Sequence, residues 1–485
     1  MRRSPARKPR VGAIILAGGR SVRFRSATPK VLHTAAGRPL VVHVLETLRE
    51  VHRRQKISRA CLVVPPGGAV ESALAGIGLP FDLEFAVQKQ PRGTGDAARG
   101  GLGPLKDCDE VIVLAGDAPL VLAGSIGGLI AARRRRGAGA AVLTARLEDP
   151  RSYGRIVRRG GRIEAIVEER DATPEQRQIS EVNASCYAFA RDSLAAELPR
   201  LRASNVQREL LLTDVIGRLA AKGGVTSREG EPGEVLGANT RRDFELVTSI
   251  LRRRVLDSLM DAGVTVVDPA TTYVDAGVSV GPDSVLHPMT FLEGATRVGA
   301  ACEIGPAARL VDCDVADGAR IAFAVARSAR IGPRVEVGPF ASLRPGTVLH
   351  EGSKAGTFVE MKNADVGEGA KVPHLAYMGD VTIGRGSNVG AGTITCNYDP
   401  FKPGPDGSTK HRTEIGEDVY ISSDTMLVAP VTLGDGSRTG AGSVVTHDVP
   451  PGELVYGVPA RPRAPSEPRE AADKSRKSGR RKRGS

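Results

Sequence analysis

The chain of 485 residues contains no tryptophan, and only 4% of it is aromatic. A surface that reads single-stranded nucleic acid needs rings interleaved with cations, and the sequence offers no such pattern. No run approaches the roughly 18 apolar residues of a membrane-spanning helix, so no membrane span is expected. The six cysteines (Cys61, Cys108, Cys186, Cys302, Cys313 and Cys396) are scattered, with no C-x-x-C pair. That spacing excludes a zinc or disulfide framework and suits a reducing, cytoplasmic setting. The turn after the first apolar run follows neither the Walker A nor the G-x-G-x-x-G pattern.

Charge is the next constraint. The net charge is +13, but residues 1–10 hold five Arg/Lys and no acid, and residues 461–485 hold ten Arg/Lys against three acids. The body between them is close to neutral, which makes nucleic acid an unlikely partner apart from contacts of the tails. We expect residues 1–10 to be a basic N-terminal extension and 461–485 a disordered basic tail.

What the chain does have is a six-residue beat in its C-terminal half. Ile331, Val337, Leu343, Leu349, Ala355 and Met361 fall six apart. The beat resumes at Val366, Val372 and Met378, at Ile383 and Val389, and from Ile415 through Ile421, Leu427, Leu433 and Thr439 to Val445. Neither a helix period of 3.6 nor strand alternation gives that spacing. Three short strands per coil do, with one aliphatic residue of each hexad pointing inward. The pattern predicts a left-handed parallel β-helix of hexapeptide repeats over 265–460, irregular at first. The stretch Asp399–Lys410, rich in Pro and Gly, breaks the beat and reads as a loop leaving the coil.

Residues 11–242 read instead as an α/β domain, a Rossmann-like parallel or mixed sheet covered on both faces. Strands are expected at Val11–Leu16, Ala60–Val64 and Glu110–Leu114, with a helix at Leu40–Val51. A linker helix is expected over 243–264, with Phe244, Val247, Leu251, Val255 and Leu259 on one face and Gly263 as its stop. The first strand runs into a Gly-rich turn followed by Arg23 and Lys30, a combination able to cradle phosphate. Gln88 and Gly93-Thr94-Gly95 form a second small-residue loop. Asp117 stands at a strand's C-terminal end, where open α/β sheets bind ligands and where a carboxylate can hold Mg2+. In the β-helix, Arg344 and Lys362 are one 18-residue coil apart and should stack into a cationic pocket. His374, Tyr377 and Asn388 follow nearby.

These segments, LAGG…R…PKVLH, Gln88…Gly93-Thr94-Gly95, GDAPL, YGRIV, IVEERDATPEQRQISEVN and GANTR, together with HLAYMGD and SNVGAGTITCNYD, resemble the bifunctional N-acetylglucosamine-1-phosphate uridyltransferase/glucosamine-1-phosphate acetyltransferase family over roughly residues 11–460. The resemblance implies an α/β nucleotidyltransferase domain that binds UTP through Leu16, Gly18, Gly19, Arg23, Lys30, Gln88, Gly93 and Thr94. It implies Mg2+ on Asp117 and Asn239, and a sugar phosphate held by Gly154, Glu168, Asn183 and Asn239. For the acetyltransferase half it implies His374 as general base. Arg344, Lys362, Tyr377, Asn388 and Lys410 would then hold glucosamine 1-phosphate, and Asn397, Tyr398, Ser423 and Ala441 would line the acetyl-CoA site. A homotrimer follows from the same resemblance. The chain departs from the family pattern at Ser21-Val22, where Gly-Thr is usual, at Ala184-Ser185, where Thr-Gly is usual, and at Ala115, where Tyr is common. The loop before Lys410 is longer. An acetyltransferase with a weakened or lost uridyltransferase site is therefore the alternative.

Overall fold

The structure is a computed structural model that describes residues 7–19, 22–405 and 407–462. Ser21, most of the basic N-terminal extension and the tail beyond residue 462 lie outside the described residues. The chain forms two compact units, Met1–Val255 and Leu256–Ser485.

The first unit is built on a mixed nine-stranded sheet. In chain order its strands are β1 (Val11–Leu16), β2 (Ile57–Val64), β3 (Asp82–Val87), β4 (Glu110–Ala115), β5 (Ala140–Arg146), β6 (Arg155–Arg159), β7 (Arg162–Val167), β8 (Glu181–Ala190) and β9 (Val225–Glu229). They lie in the order β9-β5-β8-β4-β1-β2-β3, and the β6–β7 hairpin attaches to β8. The helices used below are α1 (Leu40–Gln55), α2 (Thr94–Leu102), α3 (Ala123–Arg136), α4 (Leu212–Ala220) and α5 (Arg241–Asp261). Strand β1 explains the layering. Val11, Ala13 and Ile15 enter one core while Ile14 enters the core on the opposite face, so both faces are covered, as a central strand requires. Strands β1, β2, β3 and β4 are parallel. Strand β8 is antiparallel to both β4 and β5. It follows a hairpin and not a crossover helix, so the chain returns in the opposite direction.

Helix α1 extends to Gln55 and closes on Lys56 in the left-handed region. Helix α5 covers the linker segment expected from the sequence, and Gly263 takes φ +92° just after it, the conformation that stops helices. Val247 and Leu251 of α5 are buried with Leu40, Leu120 and Ala238.

The second unit is a parallel β-helix. All seventeen residues of the beat read from sequence are at most 3% exposed. The period also starts earlier than the sequence reading placed it. Val274, Val280, Leu286, Leu292, Val298, Ile304 and Leu310 keep six-residue spacing and are buried, and in this stretch five-residue steps follow at Val315, Ala326 and Ile331. Coils therefore advance by 18 residues at Val274↔Leu292, 17 at Val298↔Val315 and 16 at Leu310↔Ala326. One or two skipped residues per coil hide the beat from a fixed-period reading without breaking the ladder. The loop at 399–410 makes Val389 pair with Ile421, 32 residues on, and a Tyr398–Lys410 bridge closes its base.

Buried Ser and Thr hydroxyls serve the turns. Thr290 donates to His287 O at 2.8 Å, Ser353 to His350 O at 2.7 Å and Thr393 to Gly390 O at 2.7 Å, so these hydroxyls inside the coil are satisfied. The phase of the beat is testable at one strand. Tyr420 is 53% exposed and Ile421 is 0% exposed. Tyr420→Asp should change stability by less than about 1 kcal/mol, whereas Ile421→Asp, which buries an unpaired carboxylate, should cost more than about 4 kcal/mol. Urea midpoints followed by circular dichroism check the pair.

Candidate functional site

In the first unit a cavity of about 530 Å³ opens beside the C-terminal ends of β1 and β4, the position where open α/β sheets take ligands. Its lining includes Leu16, Gly18, Gly19, Lys30, Gln88, Gly93, Thr94, Asp117, Glu168 and Asn183. Arg23, Gly154 and Asn239, the other residues singled out for nucleotide or sugar phosphate, are not in that lining; Gly154 and Asn239 bond to the lining residues Asn183 and Lys30, and Arg23 bonds to Asn239.

Two glycines are fixed by close approach. Gly93, at φ +113°, precedes α2, and a Cβ there would collide with Leu210 O. A Cβ on Gly18 would lie 2.6 Å from Gln88 Oε1. Gln88 is itself held, since its Nε2 donates to Gly93 O at 3.3 Å and to Asp96 at 3.2 Å. Thr94 Oγ1 accepts from Leu212 N–H at 3.0 Å, which ties the loop to the start of α4.

At the cavity's edge charges converge. Lys30 Nζ contacts the Asp117 carboxylate and donates to Asn239 Oδ1 at 3.3 Å. Arg23 Nη2 donates to the same Asn239 oxygen at 3.3 Å. The segment carrying Arg23 is anchored by Phe24, which packs on His33 and Phe244 and lies 4.3 Å beneath the Arg241 guanidinium. Asp117 and Asn239 thus present two hard oxygen donors to one cationic centre. That donor set fits Mg2+, which takes few protein ligands and completes its shell with phosphates and water.

The opposite end of the cavity is built by Gly154, Glu168 and Asn183. Asn183 N–H donates to Gly154 O at 2.9 Å, and Thr213 donates to Glu168 at 3.4 Å. Burial pushes the Glu168 carboxyl above its ordinary value, partly offset by the Thr213 bond. Sequence reasoning missed Tyr187, Glu209 and Thr213, which also line the cavity, and met Ser185, also in the lining, only as a departure from the family pattern. Thr213 and Glu209 flank the start of α4, far along the chain from any motif. Tyr187 lies beyond the motif that ends at Asn183.

In the β-helix, Leu343 pairs with Met361, and Arg344 N–H donates to Met361 O at 2.8 Å. Arg344 and Lys362 are therefore register neighbours one coil apart, as the 18-residue spacing predicts. Arg344 Nη1 also pairs with Glu360 at 2.8 Å. Tyr377 lies opposite Glu360 on the same face. His374 ends the strand Lys371–His374 of the adjoining face. Leu375, at φ +43° and 60% exposed, forms the corner between them. Asn388 lies opposite Lys371, at the other end of the His374 strand. One chain thus brings Arg344, Lys362 and Tyr377 onto one face and leaves His374 and Asn388 on the next. Lys410 Nζ lies 4.8 Å over the Tyr398 ring at the loop's base. Asn397 Nδ2 contacts Asp380, whose other oxygen accepts from Asn363 at 2.7 Å; neither Asp380 nor Asn363 was foreseen. Ser423 O accepts from Gly442 N–H at 2.9 Å, which sets Ser423 beside Ala441 one coil on.

The fold and cavity define a nucleotidyltransferase-type α/β unit in one chain with a hexapeptide-repeat transferase unit. Residues 13–221 match the MobA-like NTP transferase domain, and residues 412–447 match the bacterial transferase hexapeptide (six repeats). The chain is 46% identical over 449 residues to the bifunctional protein GlmU of Mycolicibacterium vanbaalenii, covering 91% of this chain and 89% of that one. It is 45% identical over 452 residues to the bifunctional protein GlmU of Mycobacterium tuberculosis, with the same coverage. It is 45% identical over 449 residues to that of Streptomyces coelicolor, covering 91% and 90%. The chain belongs to the GlmU family of bifunctional proteins.

Glu168 gives this site a pH signature. Its folded-state pKa lies above the ordinary 4.5, so the ionised form costs stability as pH rises through the folded-state value, and the cost vanishes below the unfolded value. Glu168→Gln should therefore raise the thermal midpoint at pH 7 and leave it unchanged near pH 3. Melting curves across that range check the sign.

Proposed function

We propose that this chain makes UDP-N-acetylglucosamine in two steps: acetyl-CoA-dependent N-acetylation of glucosamine 1-phosphate on the β-helix, then uridyl transfer from UTP to N-acetylglucosamine 1-phosphate in the α/β unit. The observation that carries the reading is the convergence of Lys30, Arg23, Asp117 and Asn239 at the edge of a glycine-lined cavity, in a chain of the GlmU family that also bears the Arg344–Lys362 ladder.

In uridyl transfer a phosphate oxygen of the sugar phosphate attacks the α-phosphorus of UTP in line, the α–β bridging bond breaks, and pyrophosphate leaves. Lys30 and Arg23 offset the charge that develops on the phosphate oxygens. Gly18, Gly19 and Gly93 let the backbone approach the nucleotide, with Leu16, Gln88 and Thr94 against the base. Glu168, Asn183 and Gly154 hold the sugar. Asp117 and Asn239 would hold Mg2+, which when bound neutralises phosphate charge and aligns the attacking and leaving groups.

In acetyl transfer the 2-amino nitrogen attacks the thioester carbonyl, a C–N bond forms, the C–S bond breaks, and His374 takes the amine proton. Arg344 and Lys362 hold the sugar phosphate, while Tyr377, Asn388 and Lys410 hold the ring. Asn397, Tyr398, Ser423 and Ala441 line the coenzyme site. A homotrimer completes this site. His374 and Tyr377 flank a corner on which Phe340, Phe358 and Leu375 are all more than half exposed, and Phe340 stacks on Phe358 at 5.3 Å. Such an apolar column is suited to cover by a second copy. No helix among the described residues is long and apolar enough to cross a membrane, and the cytoplasm is the proposed location.

Two variants separate the sites. His374→Ala should lower acetyl transfer at least about a hundredfold and leave pyrophosphate release from UTP and N-acetylglucosamine 1-phosphate intact. Asp117→Ala should do the reverse by a similar factor. Coupled thiol-release and pyrophosphate assays read the two activities separately. Parallel loss of both activities in either folded variant would refute the division of labour.

A further inference from the structure

The β-helix turns its corners at fixed heights, and one corner carries a column of three polar side chains. Lys362 lies opposite Gly379 and Ala364 opposite Val381, so Asn363 and Asp380 occupy the same corner on successive coils. Both are in the left-handed region, at φ +47° and +48°, which Asn and Asp tolerate better than other side chains. Asn397 follows one coil on, directly after the strand Ile394–Cys396, whose Ile394 pairs with Tyr377. Its backbone is pinned, since its N–H donates to Thr395 O at 3.0 Å and its carbonyl accepts from His411 N–H at 2.8 Å. What remains to be fixed is the direction of its side-chain amide.

Asp380 fixes it. Asp380 Oδ1 accepts from Asn363 Nδ2 at 2.7 Å, and Asp380 Oδ2 accepts from Asn397 Nδ2. An ionised carboxylate only accepts hydrogen bonds, so each flanking amide turns its NH2 toward Asp380 and its carbonyl away. Asn397 is 4% exposed, yet its Oδ1 is open to solvent and no donor among the described residues reaches it. The amide also stands beside a residue of the proposed sugar site. A Cβ on Gly379 would lie 2.5 Å from Tyr377 Oη and 2.8 Å from Asn397 Nδ2, so the phenol and the amide converge over one glycine.

We propose that Asp380 is a positioning residue of the acetyl-transfer site: it holds the Asn397 amide so that a carbonyl oxygen, and not an NH2, faces the ligands and accepts an N–H from them. The proposal rests on the acetyltransferase reading above, in which Asn397 lines the coenzyme site and Tyr377 holds the sugar. Two groups in that reaction offer an N–H donor, the 2-amino group of the sugar phosphate and the amides of the pantetheine arm. A reversed Asn397 amide would set its NH2 against either of them, and donors left unmatched in a closed site are costly. Asn363 bonds to the other oxygen of Asp380 and secures the column without facing the ligands.

The test measures acetyl transfer by thiol release in the full-length protein, in Asp380→Asn and in Asn363→Ala. Asparagine has the shape of aspartate and tolerates the left-handed backbone at 380, so the fold is kept. The substituted amide sets an NH2 against one of its two neighbours and lets Asn397 turn over. In Asp380→Asn, kcat/KM should fall about tenfold through KM for one co-substrate, with kcat moved by less than about twofold. A raised KM for glucosamine 1-phosphate identifies the amine as the donor, and a raised KM for acetyl-CoA identifies a pantetheine amide. Asn363→Ala, which leaves the contact between Asp380 and Asn397 in place, should change kcat/KM by less than about twofold. Unchanged KM values in Asp380→Asn, an equal rise in both, or the same loss in Asn363→Ala, in protein that still releases pyrophosphate, overturns the positioning role alone. A wild-type chain that acetylates no glucosamine 1-phosphate overturns the acetyltransferase reading together with it.

Discussion

Each coil of the β-helix must close on the one below within a single strand spacing of about 4.8 Å, and that closure governs what the second unit can be. It admits one aliphatic side chain per hexad inside the coil and forces the corners into turns. Many corners sit in the left-handed region, including Phe340, Phe358, Asn363, Leu375 and Asp380. Side chains at such corners project outward at equal heights on successive coils. The Phe340–Phe358 stack and the Asn363–Asp380–Asn397 ladder are direct products of that repetition. The Arg344–Lys362 pair arises in the same way along a face. A rigid scaffold with an integral coil length is therefore a means of stacking like side chains, and the proposed sugar-phosphate pocket uses it.

The first unit solves a different problem, that of bringing cations and oxygens together without burying unpaired charge. Strand ends β1 and β4 supply the place, and Lys30 satisfies Asp117 and Asn239 until a ligand arrives. Buried acids elsewhere in the unit are paired as well. Glu110 lies between Arg133 and Arg134, and Glu197 is bonded to Arg218 and Lys222. Glu234 is held by neutral donors, Leu122 N–H and the Ser125 hydroxyl, and Glu168 too lacks a cationic partner. It faces the cavity with only Thr213 as a partner, and burial raises its pKa. A carboxylate left under-satisfied in this way is a feature of sites that wait for a ligand.

The six-residue beat was legible because closure repeats it, and every residue read from it is buried. The coils before Ile331 were expected as part of the β-helix but only as an irregular stretch, because steps of five at Val315, Ala326 and Ile331 interrupt the beat while preserving the ladder. In the α/β unit the Gly-rich turn, Lys30 and Asp117 were readable from spacing and strand ends. Asn239 and Glu168 needed the family resemblance, whereas Arg23 was readable with Lys30 as a phosphate cation. Tyr187 and Thr213 escaped both, since a bulge and a distant helix start leave no periodic trace, and Ser185 was met only as a departure from the family pattern. In the β-helix, the register predicted Arg344 beside Lys362, whereas the separation of His374 and Tyr377 onto adjoining faces depends on where the corner at Leu375 falls. A count of residues does not give that corner.

The central claim is that one chain carries two working sites. The most direct measurement incubates purified full-length protein with glucosamine 1-phosphate, acetyl-CoA, UTP and Mg2+ and follows products by mass spectrometry. The account predicts UDP-N-acetylglucosamine with pyrophosphate and free coenzyme A. Accumulation of N-acetylglucosamine 1-phosphate without the nucleotide sugar would contradict it and leave an acetyltransferase whose nucleotidyl site has lapsed.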